Sequence, residues 1–248
     1  MAGPDRLSGT QRIQPLHILT ETPCPYLPGR MERKVLTVLE PTAATTELYS
    51  ELSRAGFRRS QRYVYRPACR NCDACRPVRI DALGFAPTRS QKRIMGRNRD
   101  LKTTLVLPAS TAEHFALFRR YLDSRHDDGE MSGMTASDYR NMVEDTPVNT
   151  QIAEFRTSSG KLLACLLFDW LQDGPSLVYS FFEPDEERRS LGTQAVLWAL
   201  SEARTRHLPF VYLGYWIPEC RKMAYKDRFQ PLQELRGGQW RQTKPPRD

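Results

Sequence analysis

Hydrophobic and polar positions divide the 248-residue chain into two regimes. Through residue 88 the apolar stretches are short and lie between proline-, glycine- and charge-rich segments. Residues 35–39 are β-branched and apolar and predict a strand; residues 61–66 alternate and predict a second; residues 77–81 predict a third. Residues 45–55 predict a helix, with Leu48, Leu52 and Ala55 on one face and Gly56 as its stop. Residues 21–29 hold three prolines and a glycine and predict a stiff, extended loop.

From residue 89 the periods lengthen. Residues 90–99 predict a basic helix, and residues 111–124 an amphipathic one striped by Phe115, Phe118 and Leu122. Residues 151–156, 162–170, 176–182 and 210–215 predict four strands, with turns at 158–160 and 172–175 linking the first three. A helix over 193–206 separates the third and fourth, and another covers 219–228. Antiparallel strands followed by strand–helix–strand form an α+β pattern. The expected division is a smaller N-terminal α+β subdomain, residues 1–88, and a larger domain, residues 89–248, opening on the basic helix. Residues 1–20 predict a frayed start and residues 244–248 a disordered tail.

Charge changes this picture most. Lys and Arg number 37 against 29 Asp and Glu, a net charge of +8 that points to a polyanion such as nucleic acid. The first ten residues lack the apolar core of a signal peptide. The longest apolar run, residues 162–168, falls far short of the ~20 residues a membrane span needs. The expectation is a cytoplasmic protein with no membrane partner, whose thiols stay reduced. Its six cysteines then read as metal ligands, catalytic groups or core residues rather than disulfides.

Cys69, Cys72 and Cys75 follow one another at three-residue intervals. A tight turn brings such thiols to one side, where they can converge on zinc or an iron–sulfur cluster. Cys24, in the proline-stiffened loop, is the candidate fourth ligand. Arg66, Arg70, Arg76 and Arg79 make the segment a charged loop rather than a core strand. A cysteine-rich loop without metal, its thiols in weak hydrogen bonds, satisfies the same spacing. Cys165, inside an apolar strand, reads as core.

On the basic helix Arg89, Arg93 and Arg97 stack at i, i+4 and i+8, with Lys92 beside them. Like charges so arranged repel, and a phosphate backbone would relieve the repulsion; a solvated helix face is the bland alternative. Gly96, Lys102 and Thr103 mimic part of a phosphate-binding loop, but Leu101 stands where its second glycine must be, which excludes a nucleoside-triphosphate site of that kind. Arg188 and Arg189 precede a helix opened by Ser190-Leu-Gly-Thr. Backbone N–H groups at such a start, with Gly192 permitting close approach, suit an anion or oxyanion. Further on, Tyr212 and Trp216 interleave with Lys222 and Lys226; aromatic faces beside cations suit an unstacked RNA base, and a buried strand fits as well. The four histidines lie outside these stretches and read as structural or solvated.

Taken together, residues 24–33, the cysteine triplet, Pro87-Thr-Arg-Ser-Gln-Lys-Arg93, Ser190-Leu-Gly-Thr193, and Tyr212-Leu-Gly-Tyr-Trp216 through Lys222-Met-Ala-Tyr-Lys226 resemble the aminoacyl-tRNA–protein transferase family of the N-degron pathway. The length and the Cys24-Pro-Tyr-Leu27 form are those of its bacterial, leucine-transferring branch. The eukaryotic, arginine-transferring relatives carry a second cysteine where this chain has Leu27, and have been described as binding iron–sulfur or zinc. The resemblance implies transfer of leucine from leucyl-tRNA to proteins with N-terminal Asp or Glu, and an N-terminal subdomain packed on a GNAT-like acyltransferase domain.

The chemistry suits these residues. The donor ester is activated by its tRNA, so transfer requires no cofactor. The acceptor α-amine, with a pKa of about 7.7–8.0, is partly unprotonated near neutrality. Oxyanion donors are expected among backbone N–H groups near Phe181, Phe182 and Gly192, and Tyr179 or Glu183 as proton relay. The acceptor's carboxylate needs a cation, and Arg30, Arg76 and Arg79 lie in the converging loops. Arg89, Lys92, Arg93, Arg97, Arg188, Arg189, Tyr212, Trp216, Lys222 and Lys226 are the expected tRNA contacts. The alternatives are arginyl-tRNA as donor, an acyl-CoA-dependent N-acetyltransferase, and a non-enzymatic zinc-loop RNA-binding protein.

Overall fold

A computed structural model describes residues 15–125, 131 and 133–243. Most of the expected frayed start, the tail 244–248 and His126 lie outside the described residues.

The N-terminal part is built on a four-stranded antiparallel sheet, β1 (His17–Ile18), β4 (Lys34–Val38), β6 (Tyr63–Pro67) and β5 (Arg58–Ser60), in that spatial order. A short hairpin, β2 (Thr22–Pro23) with β3 (Met31–Glu32), carries the proline loop. Val35, Thr37 and Leu39 alternate inward, as a period-2 pattern requires. Helix α1 (Thr45–Arg54) ends at Gly56, whose φ is +86°. A side chain there would also meet Leu235 at 2.8 Å and Pro77 at 2.9 Å, so the stop doubles as a packing point.

The rest forms an eight-stranded sheet in the order β14-β13-β7-β12-β11-β10-β9-β8. Its strands are β7 (Arg76–Asp81), β8 (Lys102–Val106), β9 (Thr150–Arg156), β10 (Leu162–Leu171), β11 (Gly174–Phe182), β12 (Phe210–Trp216), β13 (Leu232–Arg236) and β14 (Gln239–Gln242). Neighbours are antiparallel except β11 and β12, which run parallel and are joined by α5 (Leu191–Thr205). Every residue of β10 is buried, so its apolar run does not alternate. Ala164, Leu166, Phe168 and Trp170 share a core with Ala195, Val196 and Leu200 of α5. Cys165 and Leu167 face the opposite core, with Leu117 and Phe118 of α3 (Ala112–Arg125) and Tyr139 of α4 (Ala136–Glu144).

Arg59 of β5, buried, forks Asp169 of β10 and ties the two parts together. Tyr215 of β12 donates to the carbonyls of Gly56 and Tyr65.

The structure departs from the sequence reading at several points. Strand β7 lies before residue 88 yet pairs with β12 and β13, so the larger sheet takes a strand from the expected N-terminal subdomain. The sequence reading has no strand at β1, β2, β3, β5, β8, β13 or β14 and no helix at α4. The helix expected over 219–228 is only a 3-10 turn, Ala224–Arg228. Ile217, Cys220 and Met223, just before that turn, bury against Tyr26, Leu27 and Cys75.

Candidate active site

Strands β11 and β12 pair at Ser176 and Tyr212 and then part. Both carry a register break just beyond. Val178 has no partner on β10, since Leu167 pairs with Tyr179 and Phe168 with Leu177. Leu213 has none on β7, since Tyr212 pairs with Arg79 and Gly214 with Val78. Such bulges bend and twist a strand. Past the Ser176–Tyr212 pair the register joins them at no further residue, and the strands run on to Phe182 and Trp216 as the two sides of a wedge, at the end where parallel strands joined by a helix commonly hold ligands.

On the β11 side, Glu183 is buried and forked by Arg120 of α3, at 2.9 Å and 3.2 Å to Oε2. The 3-10 turn Pro184–Arg189 leads into α5, and Ser190, left-handed at φ 51°, makes no side-chain cap. The first N–H groups of α5 are therefore free of a side-chain cap. Helix α2 (Arg89–Arg97) closes the outer edge of the wedge. Gln91 Nε2 donates to Arg228 O at one end; at the other, Arg97 donates to Arg188 O and Asn98 Nδ2 to Arg189 O. Seven residues of helix separate the two anchors, roughly 10 Å at 1.5 Å per residue. Adjacent paired strands stand only about 4.8 Å apart, so α2 bridges segments that follow diverging strands.

On the β12 side, the cysteine loop packs beyond Trp216 against Ile217, Cys220 and Met223. Cys69 Sγ accepts from Arg33 N–H at 3.4 Å, and Cys72 Sγ accepts from Arg30 at 3.3 Å. Burial, and then Cys24, Cys69 and Cys72 nearby, push the Cys75 thiol up to about 12. The four sulfurs thus share one neighbourhood. Among the described residues, however, no three or more His, Cys, Asp or Glu side chains are arranged to hold a metal ion. The donor set suits zinc or an iron–sulfur cluster, and no step below passes through a metal.

Several expected site residues have other roles. Arg79 is 9% exposed, its guanidinium 3.4 Å from the Phe210 ring centroid and 4.3 Å from that of Trp240, and it donates to Gln233 and Tyr212. It is a core residue, closed to an acceptor's carboxylate. Tyr212 is buried and donates to Asp173 at 2.9 Å, so it offers no face to a base. Lys226 is 5% exposed and donates to Leu213 O and Tyr215 O, out of reach of tRNA. Arg189 is held by Asp100 and Glu186. Gly192 leaves room for the Phe182 ring, 3.0 Å from where a Cβ would sit, so its bareness serves packing rather than a phosphate. Tyr179 packs edge-on against Phe118, and burial, then Tyr121, push its phenol well above the usual range, which makes it a poor proton relay.

Others stay accessible. Arg89, Lys92 and Arg93 are exposed along α2, as are Arg188 and Lys222. Arg97 is exposed but anchored to Arg188 O. Trp216 is half-buried at the open end, with Arg76 over its ring and a buried indole N–H that has no acceptor. Arg76 also pairs with Glu234, while Arg30 keeps its guanidinium exposed. Arg120, which the sequence reading passed over, faces solvent at the wedge mouth beside Glu183. It sits on an ordinary amphipathic helix, and only the turn of β11 toward α3 singles it out.

Antiparallel strands, a crossover helix and a strand parallel to its neighbour form the α+β core that the sequence reading expected, a fold that by itself fixes no activity. The comparisons narrow it. A family profile described as "Arginine-tRNA-protein transferase, N terminus" matches residues 22–93, and its C-terminal counterpart matches residues 113–236. The "Aspartate/glutamate leucyltransferase" of Paramagnetospirillum magneticum is 52% identical over 90% of this chain and 91% of its own length. Those of Caulobacter vibrioides and Maricaulis maris are 50% and 49% identical, each over 91% of this chain and 85% and 89% of their own lengths. Among solved structures, L-PGS from Bacillus licheniformis gives a TM-score of 0.45 at 11% identity, over 73% of this chain and 52% of that one, a likeness too slight to argue from. The chain belongs to the aminoacyl-tRNA–protein transferase family that those two profiles describe and these leucyltransferases share. Its substrates are accordingly a charged tRNA and a protein. Among the described residues no helix is long and apolar enough to cross a membrane.

Proposed function

We propose that this protein transfers leucine from leucyl-tRNA to the α-amino group of proteins beginning with Asp or Glu, marking them for proteolysis. The observation that carries the reading is the half-identical match to aspartate/glutamate leucyltransferases over nine tenths of the chain. The geometry supports it. The wedge is a place for an ester, and the exposed cations Arg89, Lys92 and Arg93 border its outer edge and suit the phosphates of the acceptor stem.

In this reading the acceptor's unprotonated amine attacks the leucyl ester carbonyl. The C–N bond forms, the C–O bond to the terminal ribose breaks, and the proton shed by nitrogen goes to the departing hydroxyl. Main-chain groups of β11 past Ser176 and the uncapped start of α5 receive the oxyanion. Glu183, forked by Arg120, orients that arginine at the mouth rather than acting as a free base. Arg30 and Arg120 are the accessible cations for the acceptor's carboxylate. The cysteine loop fixes the segment bearing Arg30 and Arg76; zinc or iron at one site per chain in oxygen-free preparations would show the four thiols closing on an ion.

The test is a donor swap. Purified protein with a peptide beginning Asp or Glu should incorporate leucine from leucyl-tRNA and not arginine from arginyl-tRNA. Arginine transfer alone would make it an arginyltransferase. Transfer from acetyl-CoA, insensitive to ribonuclease, would make it an N-acetyltransferase.

A further inference from the structure

Where β11 and β12 part, two cations donate to main-chain carbonyls. Val178 is left without a partner on β10 and Leu213 without one on β7, and the carbonyl of each accepts from a side chain. Arg58 of β5 donates from Nη2 to Val178 O at 2.6 Å. Lys226, in the turn Ala224–Arg228, donates from Nζ to Leu213 O at 2.8 Å and to Tyr215 O. The seat is shaped for the arginine. Gly214, at φ +72°, has Arg58 lying where its side chain would be, Nη1 2.8 Å and Cδ 3.1 Å from the Cβ position. Lys226 is 5% exposed and, among the described residues, forms no ion pair. A buried ammonium without a counter-charge costs stability, and a methionine would fill the same space. Packing therefore does not account for it.

We propose that Arg58 and Lys226 are positioning residues for the transfer step, capping the two bulge carbonyls so that β11 and β12 stay apart and the main chain of residues 178–182 remains open to the aminoacyl ester. The proposal rests on the leucyl-transfer reading. One clamp member comes from each part of the molecule, so the wedge opens only when the N-terminal sheet is docked. The groups acting on Lys226 are Arg58 of β5 and Cys220 of the turn after β12. Burial, then Arg58, bring the amine down to about 7, with Cys220 opposing. Its charge therefore changes within the range of a transfer assay, and the ammonium form, a charged donor, holds the two carbonyls more tightly than the neutral amine.

Single-turnover leucine transfer from preformed leucyl-tRNA tests this. Lys226→Met should lower the rate about 100-fold, the loss typical of misplaced reacting groups, with leucyl-tRNA affinity and binding stoichiometry unchanged. A variant merely misfolded would lose stoichiometry. Lys226→Arg keeps a cation that does not titrate, so the ratio of wild-type to variant rate should fall as pH rises through about 7. A pH-independent ratio, or full activity in Lys226→Met, overturns the proposal. Hydrogen exchange supplies an arm independent of activity. With Arg58→Met and Lys226→Met combined, amides over 178–182 and 213–216 should exchange more slowly as the strands pair, and unchanged or faster exchange also overturns it. Absence of transfer by the wild type would remove the leucyl-transfer reading while the exchange result still judged the clamp.

Discussion

Replacing Asp169 by Asn should destabilise the fold by about 3–5 kcal/mol, the usual cost of leaving one partner of a buried ion pair alone. The side chains of Arg59 and Asp169 are 1% and 0% exposed. Nε and Nη2 of Arg59 meet Oδ2 and Oδ1 at 2.7 Å and 2.6 Å, and Thr150 donates to Oδ1 at 2.6 Å. Asn preserves the shape, so packing changes little, but the guanidinium keeps its charge in a site closed to water. The intact pair itself adds little, because desolvation of two ions nearly cancels their attraction. Arg59→Met combined with Asp169→Leu should therefore lie within about 1–4 kcal/mol of wild type, on the neutral or stable side. The assay is equilibrium urea unfolding followed by far-ultraviolet circular dichroism and by tryptophan fluorescence. Coincident transitions would establish a single cooperative unit. In heat, a loss of this size corresponds to roughly 10 °C at about 2–4 °C per kcal/mol. A cost under about 1 kcal/mol for Asp169→Asn would mean that water or another acceptor reaches Arg59, and the sealed junction between the two sheets would be refuted.

Stability should also depend on Lys226. An unfolded lysine holds its proton to 10.5, but in the fold it releases it at about 7. Between those values the unfolded chain binds more protons, so stability rises with pH there and is flat below about 7, by roughly 5 kcal/mol at full extent. Lys226→Met should lack this increment, and an identical pH–stability difference in both proteins would contradict it. Lys92→Ala with Arg93→Ala should weaken tRNA binding and reduce the magnitude of the log Kd against log salt slope by about 2; an unchanged slope would leave α2 facing solvent. Arg79→Lys should lower stability by about 1–3 kcal/mol through loss of its stacked, forked contacts while leaving the acceptor peptide's KM unchanged. A raised KM with native stability would restore Arg79 to the acceptor site.

Much of the architecture was legible because it rests on local periodicity. The apolar run 162–170, the β-branched and apolar segment 35–39 and the basic helix over 90–99 each carry their own signal. The hairpin β13–β14 was legible too: Gly237-Gly238, at φ 56° and 76°, is a two-residue turn of the kind that favours hairpins, and the sequence reading passed over it. Strand β8 was harder, since an edge strand of Lys102-Thr-Thr-Leu-Val106 buries little. Site residues were less legible than elements. Charge and aromaticity suggested contacts for Arg79, Tyr212 and Lys226, but the same properties serve a buried cation stacked between rings, a hydroxyl in a core network and an amine capping carbonyls.

From the sequence alone follow the α+β class, the four strands around one crossover helix, the basic helix and the loop of cysteines. These depend on the spacing of side chains along a helix or strand, and that spacing is written residue by residue. Tertiary structure decided which cations are free. Burial and partner choice arise from segments more than a hundred residues apart, as when Arg58 reaches Val178 and Arg59 reaches Asp169. No local pattern encodes such a meeting, because it depends on how β5 docks against β10 and β11. The same docking brings the Arg58 side chain to a main-chain carbonyl where β11 and β12 part.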